Sequence, residues 1–193
     1  MNKALIIVDV QNDFLPGGAL AVPKGDEIIP GINMLIRNAK ERSIAIIATK
    51  DFHPPTTKHF KSFGGPWPEH CVKDTKGADF PGSLCIPPQP AEAQYFYKGQ
   101  SESDDGYSGF DGVTYIEGIP ESLNEYLTMI KVRELFVVGL ATDYCVKATV
   151  IDACKLGYIT HVDPRLCRAV NINPGDEAKA LGEMWLAGAL LDG

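Results

Sequence analysis

"ELFVVGLATDYCVKATVIDACKLG", Glu134 to Gly157, decides the fold. Glu134 to Leu140 is an apolar, β-branched run of strand length, and Thr142 to Leu156 reads as a helix closed by Gly157. Thr142 is the expected N-cap, its hydroxyl accepting from an amide two or three residues on, which puts Cys145 in the first helical turn. There the helix dipole favours a thiolate, one recognised way of making a cysteine nucleophilic. The plain alternative is a buried cysteine acting as a small hydrophobe.

Working outward, "ALIIVDV" (Ala4 to Val10), "SIAIIATK" (Ser43 to Lys50) and "QYFYK" (Gln94 to Lys98) are further buried-strand runs. Helical patterns fall at Asp26 to Arg42, Pro120 to Ile130 and Asp176 to Leu191. Alternating strands and helices imply right-handed crossovers and a central, mainly parallel sheet covered on both faces. The expected fold is therefore an α/β, doubly wound, three-layer sandwich, with residues 1–193 forming one domain. Asp51 to Ala93 and "GQSESDDGYSGFDG" (Gly99 to Gly112) are connections too long for ordinary loops. Each follows a strand's C-terminal end, where open α/β sheets bind ligands.

Composition narrows the function. The 193 residues are 45% hydrophobic and 22% charged, with a net charge of −7, so there is no basic stripe for phosphates and no nucleic-acid partner is expected. No apolar run approaches the ~20 residues of a membrane span, and the start "MNKALIIVDV" lacks the layout of a secretory signal. Five cysteines (Cys71, Cys85, Cys145, Cys154, Cys167) without close pairing argue for free thiols in a reducing compartment. A cytoplasmic protein acting on a small molecule is expected.

Parallel strands deliver their ends to one side of the sheet. Asp9, Asp51, Lys98 and Cys145 each lie at or just beyond such an end, so an acid, a cation and a thiol can converge. A carboxylate can take the thiol proton and later return it to a leaving amine, while a nearby ammonium keeps the acid ionised and favours the thiolate. That is the chemistry of amide hydrolysis through a thioester, with backbone N–H groups of Ala141 and Cys145 as oxyanion donors. A second group is "KDFHPPTTKHF...WPEHC". Asp51 and His53 stand two apart, on the same side of an extended segment, and His59 or His70 can close the set from the loop. Histidines with a carboxylate suit zinc or non-haem iron with open positions.

"ALIIVDVQNDFLPGGALAV", "ATKDFHPPTTKHF", "WPEHCVKDTKGADF", "FYKG", "YSGFDG" and "VVGLATDYCVKATVIDA" together resemble the nicotinamidase/pyrazinamidase branch of the isochorismatase-like cysteine hydrolases, in the right order from Ala4 to Val162. The resemblance implies Cys145 as nucleophile, Asp9 as proton acceptor and donor, and Lys98 as third member of the triad. It implies Asp51, His53 and His70 as ligands of one divalent metal ion, zinc ahead of iron or manganese, and leaves the part of His59 open. Phe14 and Trp67 match aromatics that flank the substrate ring, Tyr107 joins them, and the peptide before Ala141 is expected to be cis. The implied reaction converts nicotinamide to nicotinate and ammonia in NAD salvage, with pyrazinamide as a further candidate substrate and a homo-oligomer as a candidate assembly.

The match loosens after "GYITHVD", and the loop after Lys98 carries an acidic "ESDD". Related carbamoyl and ureido amidases share the triad without the metal motif and form the nearest enzymatic alternative. A binding domain in which Cys145 is inert core is the alternative from another class.

Overall fold

The four apolar runs become adjacent inner strands of one sheet in the computed structural model, which describes residues 2–192. In chain order the strands are β1 (Asn2–Val8), β2 (Ala45–Asp51), β3 (Gln94–Lys98), β4 (Val113–Ile116), β5 (Ile119–Ser122), β6 (Val132–Leu140), β7 (Ile159–Arg168) and β8 (Leu190–Leu191). The helices are α1 (Ile29–Glu41), α2 (Leu123–Met129), α3 (Lys147–Lys155) and α4 (Asp176–Leu186). Strands lie in the order β5-β4-β3-β2-β1-β6-β7-β8. Six of them, β1, β2, β3, β6, β7 and β8, pair in parallel, and β4 and β5 add an antiparallel ribbon beyond β3.

From β1 the chain builds the sheet in one direction through β2 and β3, then returns to the other side of β1 with β6. The switch point of this doubly wound sheet therefore lies between β1 and β6, where ligands gather beyond the strand ends.

Side-chain alternation along β1 supplies both cores. Leu5 and Ile7 pack with Ile29, Ile32 and Ile36 of α1. Ala4, Ile6 and Val8 face Leu123 and Leu127 of α2, Val150 of α3 and Met184 of α4. The layers are unequal, with one helix on the first face and three on the second. Val22, Cys71, Ala78, Leu84 and Ala93, from the connections around β1 and β2, complete the first core. The long segment after Asp51 is thus a structural layer as well as a loop.

Several expected boundaries shift. The helix expected from Pro120 starts at Leu123, because Ile119–Ser122 pairs with β4 and Ser122 forms a capping box with Glu125. Pro120 is tolerated there as part of an edge strand. The last helix ends at Leu186 rather than Leu191, and Leu190–Leu191 turns back to pair with β7. β7 itself reads poorly in sequence because "ITHVDPRLCR" mixes charge, proline and apolar residues.

Gly139, facing Val8 in the β1–β6 ladder, has φ +126°, and a Cβ there would lie 2.2 Å from the Val8 carbonyl oxygen. Since β1 and β6 carry the switch point, Gly139→Ala is expected to cost at least about 2 kcal/mol of unfolding free energy. Urea unfolding of the variant checks this, and an unchanged midpoint would contradict the close approach.

Candidate active site

Asp9 follows directly on β1 with φ 48°, a strained left-handed conformation for a non-glycine residue, of the kind that collects at functional sites. Its backbone N–H donates to Thr49 Oγ1 at 3.3 Å, and the Thr49 hydroxyl donates to Asp9 Oδ1 at 2.6 Å. Lys98 closes β3 in register with Asp51, the last residue of β2. Its ammonium lies 2.8 Å from Asp9 Oδ2, hydrogen-bonds Asp51 Oδ1, and donates to the Gly106 carbonyl at 2.7 Å and toward Cys145 Sγ at 3.4 Å. All four side chains are buried.

Burial and charge set the protonation states. For Lys98, burial works against the ammonium, but the Asp51 and Asp9 carboxylates outweigh it and hold the group well above the ordinary lysine range. For Asp51, burial pushes the carboxyl up, yet the Lys98 charge and the adjoining His53 ring reverse this and hold it well below the usual carboxylate range. At Asp9 burial prevails over Lys98, with the Asp51 charge adding to it, and its proton affinity is raised. Of the two carboxylates, Asp51 therefore holds its charge the more firmly, and Asp9 is the one that more readily takes up a proton.

Cys145 corrects one expectation. Thr142 does not cap the helix: its Oγ1 is buried without a hydrogen-bond partner, and Thr142–Val146 forms a π-helical turn ahead of α3. Cys145 therefore precedes the α-helix proper, and burial pushes its thiol well above the ordinary range, with the Lys98 charge opposing. Loss of the thiol proton needs an acceptor, and Asp9 is beside it: one oxygen of Asp9, one of Asp51 and Cys145 Sγ all lie within 4.8 Å of one another. The Leu140–Ala141 peptide is cis, as the resemblance implied.

Next to this group lies a three-histidine cluster. His53, His59 and His70 each offer a ring nitrogen within 4.8 Å of the others. Each ring is tethered through Nδ1: His53 to the Gly99 carbonyl at 3.0 Å, His70 to the Pro68 carbonyl at 2.8 Å, and His59 to Asp105 Oδ1 at 2.8 Å. At Gly99, with φ +65°, a Cβ would lie 2.4 Å from the His53 ring. Nε2 of His53 is buried without a hydrogen-bond partner, 3.6 Å from Asp51 Oδ2, and Nε2 of His70 is 3.8 Å from the same oxygen. Burial pushes His70 down to about 4 and lowers His59 as well, so both rings are neutral at pH 7. Neutral imidazoles fixed through Nδ1, with an orphaned Nε2 beside a carboxylate, fit a divalent metal ion. The other close grouping, Asp9, Asp51 and Cys145, already encloses the Lys98 ammonium, which fills the place of a cation.

Members of both groups, Asp51 and Cys145 from one and His59 and His70 from the other, line a cavity of about 30 Å³ together with Phe14, Trp67, Tyr107 and Ala141. All four expected substrate contacts are thus brought together. Leu20, Val22, Tyr144 and Val170 also line it and were not expected. Trp67 Nε1 donates to Tyr107 OH at 2.9 Å, and Tyr144 stands edge-on to Trp67 with ring centroids 4.9 Å apart. A larger cleft of about 1100 Å³ opens at the opposite edge of the sheet, over Leu35, Phe136 and Val138. It holds none of the strand-end groups, and its charged rim is largely self-paired, as in Lys3–Glu134 and Arg165–Asp163.

Two buried polar residues that frame the site also went unread. Gln11 donates to the Asp51 and Ala78 carbonyls at 2.8 and 2.9 Å and accepts from the Asp51 amide at 2.8 Å. Asp143 accepts from the amides of Val170 and Asn171 at 2.9 and 2.8 Å, tying the cysteine turn to the far wall of the cavity. An acid within the otherwise uncharged "GLATDYCV" was the available signal for Asp143.

The nicotinamidase of Escherichia coli (strain K12) is 42% identical over 98% of this chain and 93% of its own. The nicotinamidase/pyrazinamidase of Mycobacterium tuberculosis is 43% identical over 83% of each chain. A crystal structure of the pyrazinamidase of Pyrococcus horikoshii in complex with zinc superposes with a TM-score of 0.87 at 39% identity, covering 100% of this chain and 99% of that one. The Isochorismatase domain family matches residues 3–191, and the chain belongs to that family.

Proposed function

We propose that this protein is a nicotinamidase, one isochorismatase-like domain over residues 1–193 that hydrolyses nicotinamide to nicotinate and ammonia. The observation that carries the reading is the Lys98 ammonium held between Asp9 and Cys145, with Cys145 opening on a cavity that two of the tethered histidines, His59 and His70, also line. Similarity to nicotinamidases over nearly the whole chain supports the substrate, and the Mycobacterium relative's name supports pyrazinamide as a second one.

The cavity has room for roughly one water, so a pyridine carboxamide needs lining side chains to move aside as it enters. The ring lies between Phe14 and Trp67, with its carboxamide carbon at Cys145 Sγ. Asp9 takes the thiol proton as sulfur bonds to that carbon, and the amides of Ala141 and Cys145 bind the oxyanion. Collapse breaks the C–N bond, and Asp9 gives its proton to the departing ammonia. Asp9 then deprotonates a water that attacks the thioester, and returns the proton to sulfur as nicotinate leaves. Throughout, Lys98 holds Asp9 against the thiol and offsets the negative charge passing between them.

Asp51, His53 and His70 would hold the metal ion, with the His59 ring beside them and zinc favoured by the Pyrococcus relative. When bound, zinc supplies an electrophilic anchor for the ring nitrogen and for ordered water. The product class, a pyridine carboxylate, fits NAD salvage in the cytoplasm, in keeping with free thiols and with the lack, among the described residues, of a helix long and apolar enough to cross a membrane.

Ammonia release from nicotinamide tests the function. Cys145→Ala is expected to abolish it while leaving fold and zinc content intact, and appreciable residual turnover would sink the nucleophile. His53→Ala is expected to lose most bound zinc and weaken nicotinamide binding, read by metal analysis and calorimetry. Unchanged metal content would contradict its part as a ligand.

A further inference from the structure

Of the three tethered histidines, His59 alone is held by a charged side chain. His53 and His70 rest on backbone carbonyls, whereas His59 Nδ1 meets Asp105 Oδ1 at 2.8 Å. The His59 side chain is 3% exposed, and Asp105, at 62%, reaches it from the loop after β3. That loop is pinned on both sides of Asp105. Before it, the Glu102 carbonyl accepts from the Lys58 amide at 2.9 Å, and the Glu102 carboxylate accepts from Thr56 Oγ1 at 2.6 Å. After it, Gly106 donates its N–H to Asp104 Oδ1 at 2.9 Å while its carbonyl accepts from Lys98.

We propose that Asp105 is a positioning residue that commits His59 to the metal cluster as a protein ligand. This rests on the metal reading above and adds to it a residue of the acidic "ESDD" stretch. A neutral imidazole has one N–H and one lone pair, and a carboxylate only accepts. Asp105 therefore fixes the proton on Nδ1 and turns the Nε2 lone pair toward His53 and His70. It also makes the ring a stronger donor to metal than a neutral carbonyl would, which is how outer carboxylates act on ligating histidines. Without Asp105 the ring can change tautomer or rotate, and His59 drops out of the ligand set. Whether the histidine at this position binds metal is then decided on a loop remote in sequence, which is why "KHF" alone leaves the matter open.

The test is zinc affinity of the purified protein, read by competition with a chromophoric chelator and needing no substrate. Zinc binding by the parent checks the metal reading first. Asp105→Ala is then expected to weaken zinc binding by about 10-fold or more. Asp105→Asn should recover part of this, because an amide oxygen still accepts from Nδ1. In a His59→Ala background the further change Asp105→Ala should have no effect, since it acts only through that ring. An Asp105→Ala affinity within twofold of a zinc-binding parent would overturn the proposal, as would an equal loss with and without His59. Failure of nicotinamide turnover would count against the proposed reaction alone.

Discussion

A single buried ammonium organises this site. Lys98 is enclosed by Asp9, Asp51, Cys145 and the Gly106 carbonyl, in a place where an unpaired charge of either sign is very costly. Two carboxylates could not face each other there without it, and removing one partner of such a pair typically costs on the order of 3–5 kcal/mol. Lys98 also stabilises the carboxylates unequally. Asp51 stays ionised beside the histidines, while Asp9 keeps enough proton affinity to exchange a proton with a thiol. Proton transfer and the histidine cluster are thus two sides of one electrostatic arrangement.

The sheet supplies the precision that this demands. Asp9, Asp51, Lys98 and Cys145 come from or follow four neighbouring strands, and the β2–β3 register sets Lys98 beside Asp51. The close approach of Gly139 to Val8 keeps the strands leading to Asp9 and Cys145 together. The single-helix face of the sheet leaves space for the long connection after β2, which completes a core with Cys71 and Ala78 and delivers His59, Trp67 and His70 to the same edge. One segment thereby carries both metal-binding and aromatic groups.

Much of this was legible in the residues, for a physical reason. Asp9, Lys98 and Cys145 each end or follow a strand run of aliphatic or aromatic residues, so the change from apolar to polar marks both the strand end and the site. The inner strands were readable because their burial on both faces demands unbroken apolar sequence. β7, with its mixed composition, and the short ribbon of β4 and β5 were not, since their pairing depends on partners far along the chain. Gln11, Asp143 and Asp105 escaped for a similar reason: each acts through a hydrogen bond to a group 27 or more residues away, and little in the local sequence sets such a residue apart from an exposed polar one. Thr142 misled because a Thr before a helix ordinarily caps it, whereas the π turn leaves its hydroxyl unpartnered.

The most direct measurement is interception of the acyl group during turnover. Nicotinamide is supplied in the presence of hydroxylamine, and acid-quenched protein is digested for peptide mass spectrometry. A thioester mechanism predicts nicotinohydroxamate among the products and a nicotinoyl group on the peptide bearing Cys145. Sustained nicotinate formation with no hydroxamate, and no acyl group on Cys145, would show that water attacks the carboxamide directly and would contradict the mechanism built around Lys98.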